Sequence, residues 1–214
     1  LYGSVATAEA RSPTSDLDVM VILQREPTPL LRQSFRELEA ELSQLYKSKF
    51  REVGIAVVYK NEVLASREAF GWAFFVQILC ERIHGNTLYQ SEEKYKPTKE
   101  LAKQLHGDLA GILEDYVQKI EAESDIDKNH LHCKSAVKKL IRAAFSMLME
   151  KENAWSTNLQ CMGQIFIKHY PEKQLQMQQA LQHANETCSD KQQVLQLLNS
   201  FGGWLITEFE KTNN

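Results

Sequence analysis

The sequence predicts an α+β chain, with a mixed sheet and flanking helices first and an all-α helical bundle after it. Three observations predict this. Two short apolar, β-branched runs, over residues 16–23 and 51–59, stand near the start and read as strands. A stretch with helical apolar spacing separates them, as in a strand–helix–strand unit. After residue 90 the strand pattern disappears and each later segment carries the 3.6-residue period.

Taken in order, Leu1-Tyr2-Gly3-Ser4 reads as a strand end entering a turn, so an upstream helix and strand are expected to precede it in the natural chain. The run Asp16 to Leu23 (DLDVMVIL) predicts a largely buried strand. Leu31, Phe35, Leu38, Leu42, Leu45 and Tyr46 predict a helix over 30–47, after the punctuation of Pro27 and Pro29. Arg51 to Tyr59 (REVGIAVVY) predicts the second strand, with Val53, Ile55, Val57 and Tyr59 on its core face. Residues 61–83 are expected to be mostly helical, with Trp72, Phe74 and Phe75 in the core, and 87–89 to form a short edge strand.

The polar, Pro-ended stretch SEEKYKP reads as a linker. It sets domain expectations of 1–92 for the mixed region and 93–214 for the helical one. Within the latter, helices are expected over 98–122, 131–151, 157–169, 172–184 and 190–210, with Pro171 separating two of them.

Composition narrows the function. With 43% hydrophobic and 25% charged residues, a 214-residue chain can bury a core and stay dissolved. The formal net charge is -3 and neither half is basic. That argues against duplex nucleic acid as the main partner and against extension of RNA ends, while leaving room for a local basic pocket. The cysteines Cys80, Cys133, Cys161 and Cys188 lie far apart, which predicts buried thiols in a reduced, cytoplasmic protein. His130, His132 and Cys133 lack a second ligand pair at zinc spacing. No signal peptide is visible, and the longest apolar run, residues 69–80, is too short to span a bilayer, so no membrane partner is expected.

The chemistry-bearing pattern is Gly3-Ser4, an eleven-residue gap, then Asp16-Leu17-Asp18 opening an apolar strand. Gly3 lets the backbone approach a ligand, and the Ser4 hydroxyl can donate to phosphate oxygens. Residues i and i+2 of a strand share a face, which sets Asp16 and Asp18 side by side. Adjacent carboxylates repel unless a cation lies between them, and Mg²⁺ favours one or two carboxylates together with substrate phosphates. Glu52 is expected to share a face with Gly54, Ala56 and Val58, whose small side chains leave space for a ligand and make Glu52 a candidate third acid. Lys134, Lys138 and Arg142 form a basic ridge at i, i+4 and i+8. Arg142 and then Lys138 are the first candidates for phosphate contact, with Arg11 and Lys151 as further ones.

This GS…SDLDVMVIL arrangement resembles the DNA polymerase β-like nucleotidyltransferase superfamily, whose signature is hG[GS] followed by Dh[DE]h. Gly3, Ser4, Asp16 and Asp18 match it position by position. Within that superfamily the chain is most similar to bacterial aminoglycoside adenylyltransferases of the streptomycin or spectinomycin type, which share a Glu-Val strand pair and a C-terminal helical domain. The match covers roughly the first 60 residues, and the helical part is similar in layout. The Arg142-Ala-Ala-Phe run resembles their phosphate-contacting helix.

The resemblance implies a nucleotidyltransferase fold that moves a nucleoside monophosphate, from ATP or another nucleoside triphosphate, onto the hydroxyl of a small acceptor such as an aminoglycoside. It implies Mg²⁺, with room for two ions, on Asp16, Asp18 and Glu52. Glu52 would serve as a ligand or as the base toward the acceptor, and Gly3 and Ser4 would hold phosphates. The chain departs from many members at the third acid, because Glu52 follows Arg51 at the strand's start and Gly54 takes the position two further on. Two alternatives stay open on the same fold: an antitoxin-like transferase acting on a partner protein, and an inactive nucleotide-binding regulator.

Overall fold

The computed structural model describes residues 1–65, 72–88, 96–186 and 190–213. The chain is α+β and divides into two compact units, Leu1–Tyr95 and Lys96–Asn214.

The first unit is built on a strand–helix–strand core. Strand β1 (Leu17–Leu23) and strand β2 (Val53–Tyr59) pair in parallel, with Leu17 opposite Val53 and Asp18 opposite Gly54. Parallel neighbours need a crossover, which helix α2 (Pro29–Leu45) supplies. Thr28 caps α2 by accepting from Leu31 N at 3.2 Å, and Pro29 occupies its first turn. A four-residue helix, α1 (Gly3–Ala6), precedes β1, and Tyr2 forms one antiparallel bridge with Asp18.

The described sheet is therefore two parallel strands plus that bridge, smaller than the mixed sheet expected. Strand β1 is half-buried along its whole length, not largely buried; among the described residues β2 is the one strand that pairs along it. Residues 87 and 88 are not strand, and Tyr89 lies outside the described residues, as does most of the expected linker.

Beyond β2 come α3 (Lys60–Ala65), α4 (Trp72–Phe74) and a π-helical turn over Phe75–Leu79. Phe74 is buried, while Trp72 and Phe75 are half-buried. Phe75 packs edge-on against Tyr2 at 5.0 Å, and the Trp72 indole donates to Glu62 at 3.1 Å. The expected helix thus ends at Leu79, and an extended segment takes over at Cys80.

The second unit is a helical bundle around α7 (Ile126–Ser146), whose Val137, Leu140, Ile141 and Ala144 are fully buried. Around it pack α5 (Lys99–His106), α6 (Leu109–Ala122), α9 (Leu159–His169), α10 (Gln174–Asn185), α11 (Lys191–Leu197) and α12 (Gly203–Asn213). A short helix, α8 (Met149–Glu152), follows α7. Phe166, Tyr170, Phe201 and Trp204 form an aromatic cluster with centroids 5.0–6.0 Å apart.

Two expected helices are split. The 98–122 helix breaks at Gly107 because the Asp108 carboxylate accepts from Gly111 N at 3.1 Å and starts a new N-terminus. The last helix carries a π-turn over Leu198–Gly202. Helix α7 begins five residues before its expected start because Asp125 caps it, accepting from Lys128 N at 3.0 Å.

Of the cysteines in the described residues, only Cys133 is buried. Cys80 is half-buried and Cys161 exposed, unlike the uniformly buried thiols expected. Among the described residues no helix is long and apolar enough to cross a membrane.

Candidate functional site

The acids stand where the parallel ladder begins. Leu17 N donates to Glu52 O at 3.0 Å, and Arg51 N donates to Ser15 O at 3.0 Å. These two bonds extend the β1–β2 pairing backward past the strand ends. They bring Asp16, Arg51 and Glu52 to one end of the sheet, with Asp18 one step inside it.

Asp18 is closely framed. Tyr2 N donates to Asp18 O at 3.0 Å, which fixes the turn that follows against β1. Gly3 then adopts a φ of +71°, a conformation open to glycine at little cost. A Cβ on Gly3 would stand 2.3 Å from Asp18 Oδ2, so the missing side chain is what lets the turn lie on this carboxylate. On the other side, a Cβ on Gly54 would lie 3.4 Å from Asp18 Oδ1. Ser4, half-buried, comes directly after this contact, and its carbonyl accepts from Glu9 N at 2.8 Å.

Asp16 has one satisfied oxygen and one open one. Arg51 Nη2 donates to Asp16 Oδ2 and also lies 3.6 Å from Glu52 Oε1. Asp16 Oδ1 is buried with no hydrogen-bond partner. A buried, unpaired carboxylate oxygen beside a second carboxylate is costly unless a cation or donor completes it.

The electrostatics agree. Burial pushes the Asp18 carboxyl up from its ordinary range, and the negative charges of Asp16 and then Glu52 push it further; Arg51 acts in the opposite direction. Burial, followed by Asp18, also raises the Tyr2 phenol.

Glu52 differs from its expected setting. It precedes β2 by one residue instead of lying within it, and its side chain is 64% exposed. Val58, expected beside it on an open face, is 3% exposed, which confines the small-residue part of that face to Gly54 and Ala56. Among the described residues no group of three or more His, Cys, Asp or Glu side chains gathers to hold a metal ion. What the structure brings together is a pair, Asp16 and Asp18, with Glu52 close enough to act on Asp18 by charge. Mg²⁺ fits a pair of this kind, since Asp16 Oδ1 is open and one or two carboxylates suffice when phosphates supply the remaining oxygens.

A cavity of about 140 Å³ between α2 and β2 is lined by Arg32, Phe35, Arg36, Glu39, Ile55 and Val57. It is too small for a nucleotide, whose pockets run from roughly 300 Å³ upward.

Lys138 and Arg142 belong to the second unit, on α7, Lys138 half-buried and Arg142 exposed. Packing around the Arg142 guanidinium lowers its pKa by desolvation, though an exposed arginine stays charged at any physiological pH. Lys139, beside them, donates to Leu105 O at 3.1 Å and so caps the end of α5. Lys134 is half-buried on the same helix, and Arg11 is exposed in the loop before β1. Lys151 lies 3.3 Å from His169 Nδ1.

Sequence reasoning missed the role of Arg51. Its signal was parallel register: a cation two residues before a strand meets the residues just before the neighbouring strand, here Ser15 and Asp16. Tyr2 was missed as well, since nothing in its spacing marks the bridge to Asp18.

Comparison with protein-family models, with curated proteins and with solved structures finds no match to this chain.

Proposed function

We propose that this chain is a nucleotidyltransferase that moves a nucleoside monophosphate from a triphosphate, with ATP as the first donor to test, onto the hydroxyl of a small acceptor. The observation that carries the reading is the cradled Asp18 carboxylate between Gly3 and Gly54, beside an Asp16 oxygen that is buried and unpaired. The motif that suggested the reaction places the same residues at the same spacing.

On this reading Asp16 and Asp18 hold Mg²⁺, which supplies charge neutralisation for the phosphates. Gly3 admits a phosphate chain close to the backbone, and Ser4 donates to its oxygens. Glu52, exposed and next to the acids, accepts the acceptor's hydroxyl proton. The acceptor oxygen forms a bond to the α-phosphorus, the α-phosphorus–oxygen bond to pyrophosphate breaks, and pyrophosphate leaves.

The test is pyrophosphate release from Mg-ATP with a panel of hydroxylated acceptors that includes aminoglycosides. Asp18→Asn should lower any activity by about 10²–10³-fold with an unchanged circular dichroism spectrum. Release that Asp18→Asn leaves intact would overturn the assignment.

A second reading, a nucleotide-binding regulator without turnover, is favoured by one observation: Arg51 already neutralises Asp16, and Glu52 faces solvent. Mg-ATP binding by calorimetry, with no pyrophosphate released for any acceptor, would select it.

A further inference from the structure

Arg51 is fixed through its backbone and leaves most of its guanidinium unused. Its N–H donates to Ser15 O at 3.0 Å, which ties the chain to its neighbour just before the strands begin. At the far end of the side chain, Nη2 donates to Asp16 Oδ2 and lies 3.6 Å from Glu52 Oε1. A guanidinium carries five N–H donors in one plane. Among the described residues, the donors on Nε and Nη1 make no hydrogen bond. The Arg51 side chain is 43% exposed and that of Asp16 25%, so the guanidinium lies nearer solvent than the carboxylate it binds.

Charge gives this arrangement a consequence. Asp16, Asp18 and Glu52 gather negative charge at one end of the sheet, and Arg51 is the cation whose charge opposes the other two at Asp18. A triphosphate brings more negative charge to this end than one Mg²⁺ neutralises, so it calls for a further cation at the same place. The planar fork of an arginine matches two phosphate oxygens at once.

We infer that Arg51 is the phosphate-contacting arginine of this site. Its guanidinium holds Asp16 in the free protein and moves to phosphate oxygens of a nucleoside triphosphate when Mg²⁺ takes that carboxylate. The inference rests on the nucleotide reading given above and adds a residue to it. The exchange is a side-chain movement: the backbone of Arg51 stays in the ladder while the guanidinium changes rotamer. Asp16 passes from one cation to another and stays paired throughout. The contact between Arg51 and Asp16 is then the resting half of the binding site, and not a sign that the site is closed.

The experiment is titration calorimetry of the full chain with Mg-ATP and with Mg-tripolyphosphate, which lacks base and sugar, together with thermal melts in Mg²⁺ alone. Arg51→Gln should bind both phosphate ligands about tenfold or more weakly. Mg²⁺ alone should stabilise the same variant more than wild type, because the competing cation is gone. The opposite directions are the signature, since an arginine that merely organises the acids would weaken both responses together. Arg36→Gln, at an exposed arginine bonded to Gln33 of its own helix, should match wild type in every titration.

Arg51→Lys provides a second arm in case Arg51→Gln disturbs folding. It keeps the charge beside Asp16 and loses the fork, so its response to Mg²⁺ alone should equal that of wild type while its affinity for Mg-tripolyphosphate falls. Equal phosphate affinity in wild type and both variants, or a parallel loss of Mg²⁺ and phosphate binding in Arg51→Gln, would overturn the inference and leave the nucleotide reading standing. Wild type that binds neither Mg-ATP nor Mg-tripolyphosphate would remove that reading and the inference with it.

Discussion

A Cβ on Gly3 would stand 2.3 Å from the Asp18 carboxylate, with the Gly3 backbone at φ +71°. Gly3→Ala therefore meets two obstacles. The left-handed backbone costs about 1 kcal/mol for a residue with a side chain, and the new methyl must displace Asp18 Oδ2. The displaced atom ends a side chain, so the strain is relieved by moving the carboxylate and not the strand. The expected outcome is a modest drop in melting temperature together with loss of Mg-nucleotide binding. Titration calorimetry checks it: unchanged affinity in Gly3→Ala would separate the turn from the site.

Arg51 competes with any cation for Asp16. It donates to Asp16 Oδ2 and draws the Asp18 pKa downward, so its removal leaves the two acids less compensated. Arg51→Gln should lower stability in the presence of a chelator and increase the stabilisation that Mg²⁺ gives. Thermal melts with EDTA and with a Mg²⁺ series read both effects. If Mg²⁺ stabilises wild type and Arg51→Gln equally, Asp16 is not a cation ligand.

Much of this arrangement was legible. The order of strand, helix and strand followed from apolar periodicity, because a β-branched run and an amphipathic run of the lengths seen here leave few alternatives. The contact of Gly3 with Asp18 was not legible from spacing: Gly3 reads in the sequence as a place where backbone approaches a ligand, and the Tyr2–Asp18 bridge that seats the turn on this acid leaves no periodic mark. The surroundings of Asp16 and Glu52 were less legible, since they depend on register beyond the strand ends. Two ladder bonds, Leu17 to Glu52 and Arg51 to Ser15, decide which side chains meet there, and no periodicity encodes them. The split at Gly107 was hidden for a related reason. Leu101, Leu105, Leu109 and Leu113 keep one helical phase across it, and a single capping carboxylate, Asp108, outweighs that phase.

Ser43 satisfies both backbone groups of Val53, accepting from its N–H at 2.9 Å and donating to its carbonyl at 3.3 Å. With Glu39 on Ile55 and Arg32 on Val57, it covers the edge of β2 that β1 leaves unpaired. An uncovered edge is a template for pairing with another chain. Ser43→Ala leaves two part-buried backbone groups without partners, at a cost of about 1–3 kcal/mol. Chemical denaturation should report that loss, and light scattering at elevated temperature should show earlier aggregation than in wild type. Wild-type behaviour in both assays would mean that water replaces the hydroxyl without penalty.

His106, at the end of α5, is 7% exposed, and its Nδ1 has no hydrogen-bond partner. Burial first, then the positive charges of Lys139 and Arg142, lower its pKa from 6.5 to about 3. The imidazole is thus neutral in the folded bundle. Above about pH 6.5 it is neutral in the unfolded chain as well, and its contribution to stability is fully present. As pH falls from 6.5 toward 3 the unfolded chain takes up a proton that the folded chain refuses, so stability declines by up to about 1.4 kcal/mol per pH unit. His106→Leu removes that proton and keeps an apolar contact for Phe209, whose ring lies 6.4 Å from the imidazole. The variant should match wild type within about 1 kcal/mol at pH 7.5 and exceed it progressively toward pH 4. Urea midpoints at several pH values measure this directly, and parallel pH profiles for the two proteins would show that His106 takes up its proton without unfolding the bundle.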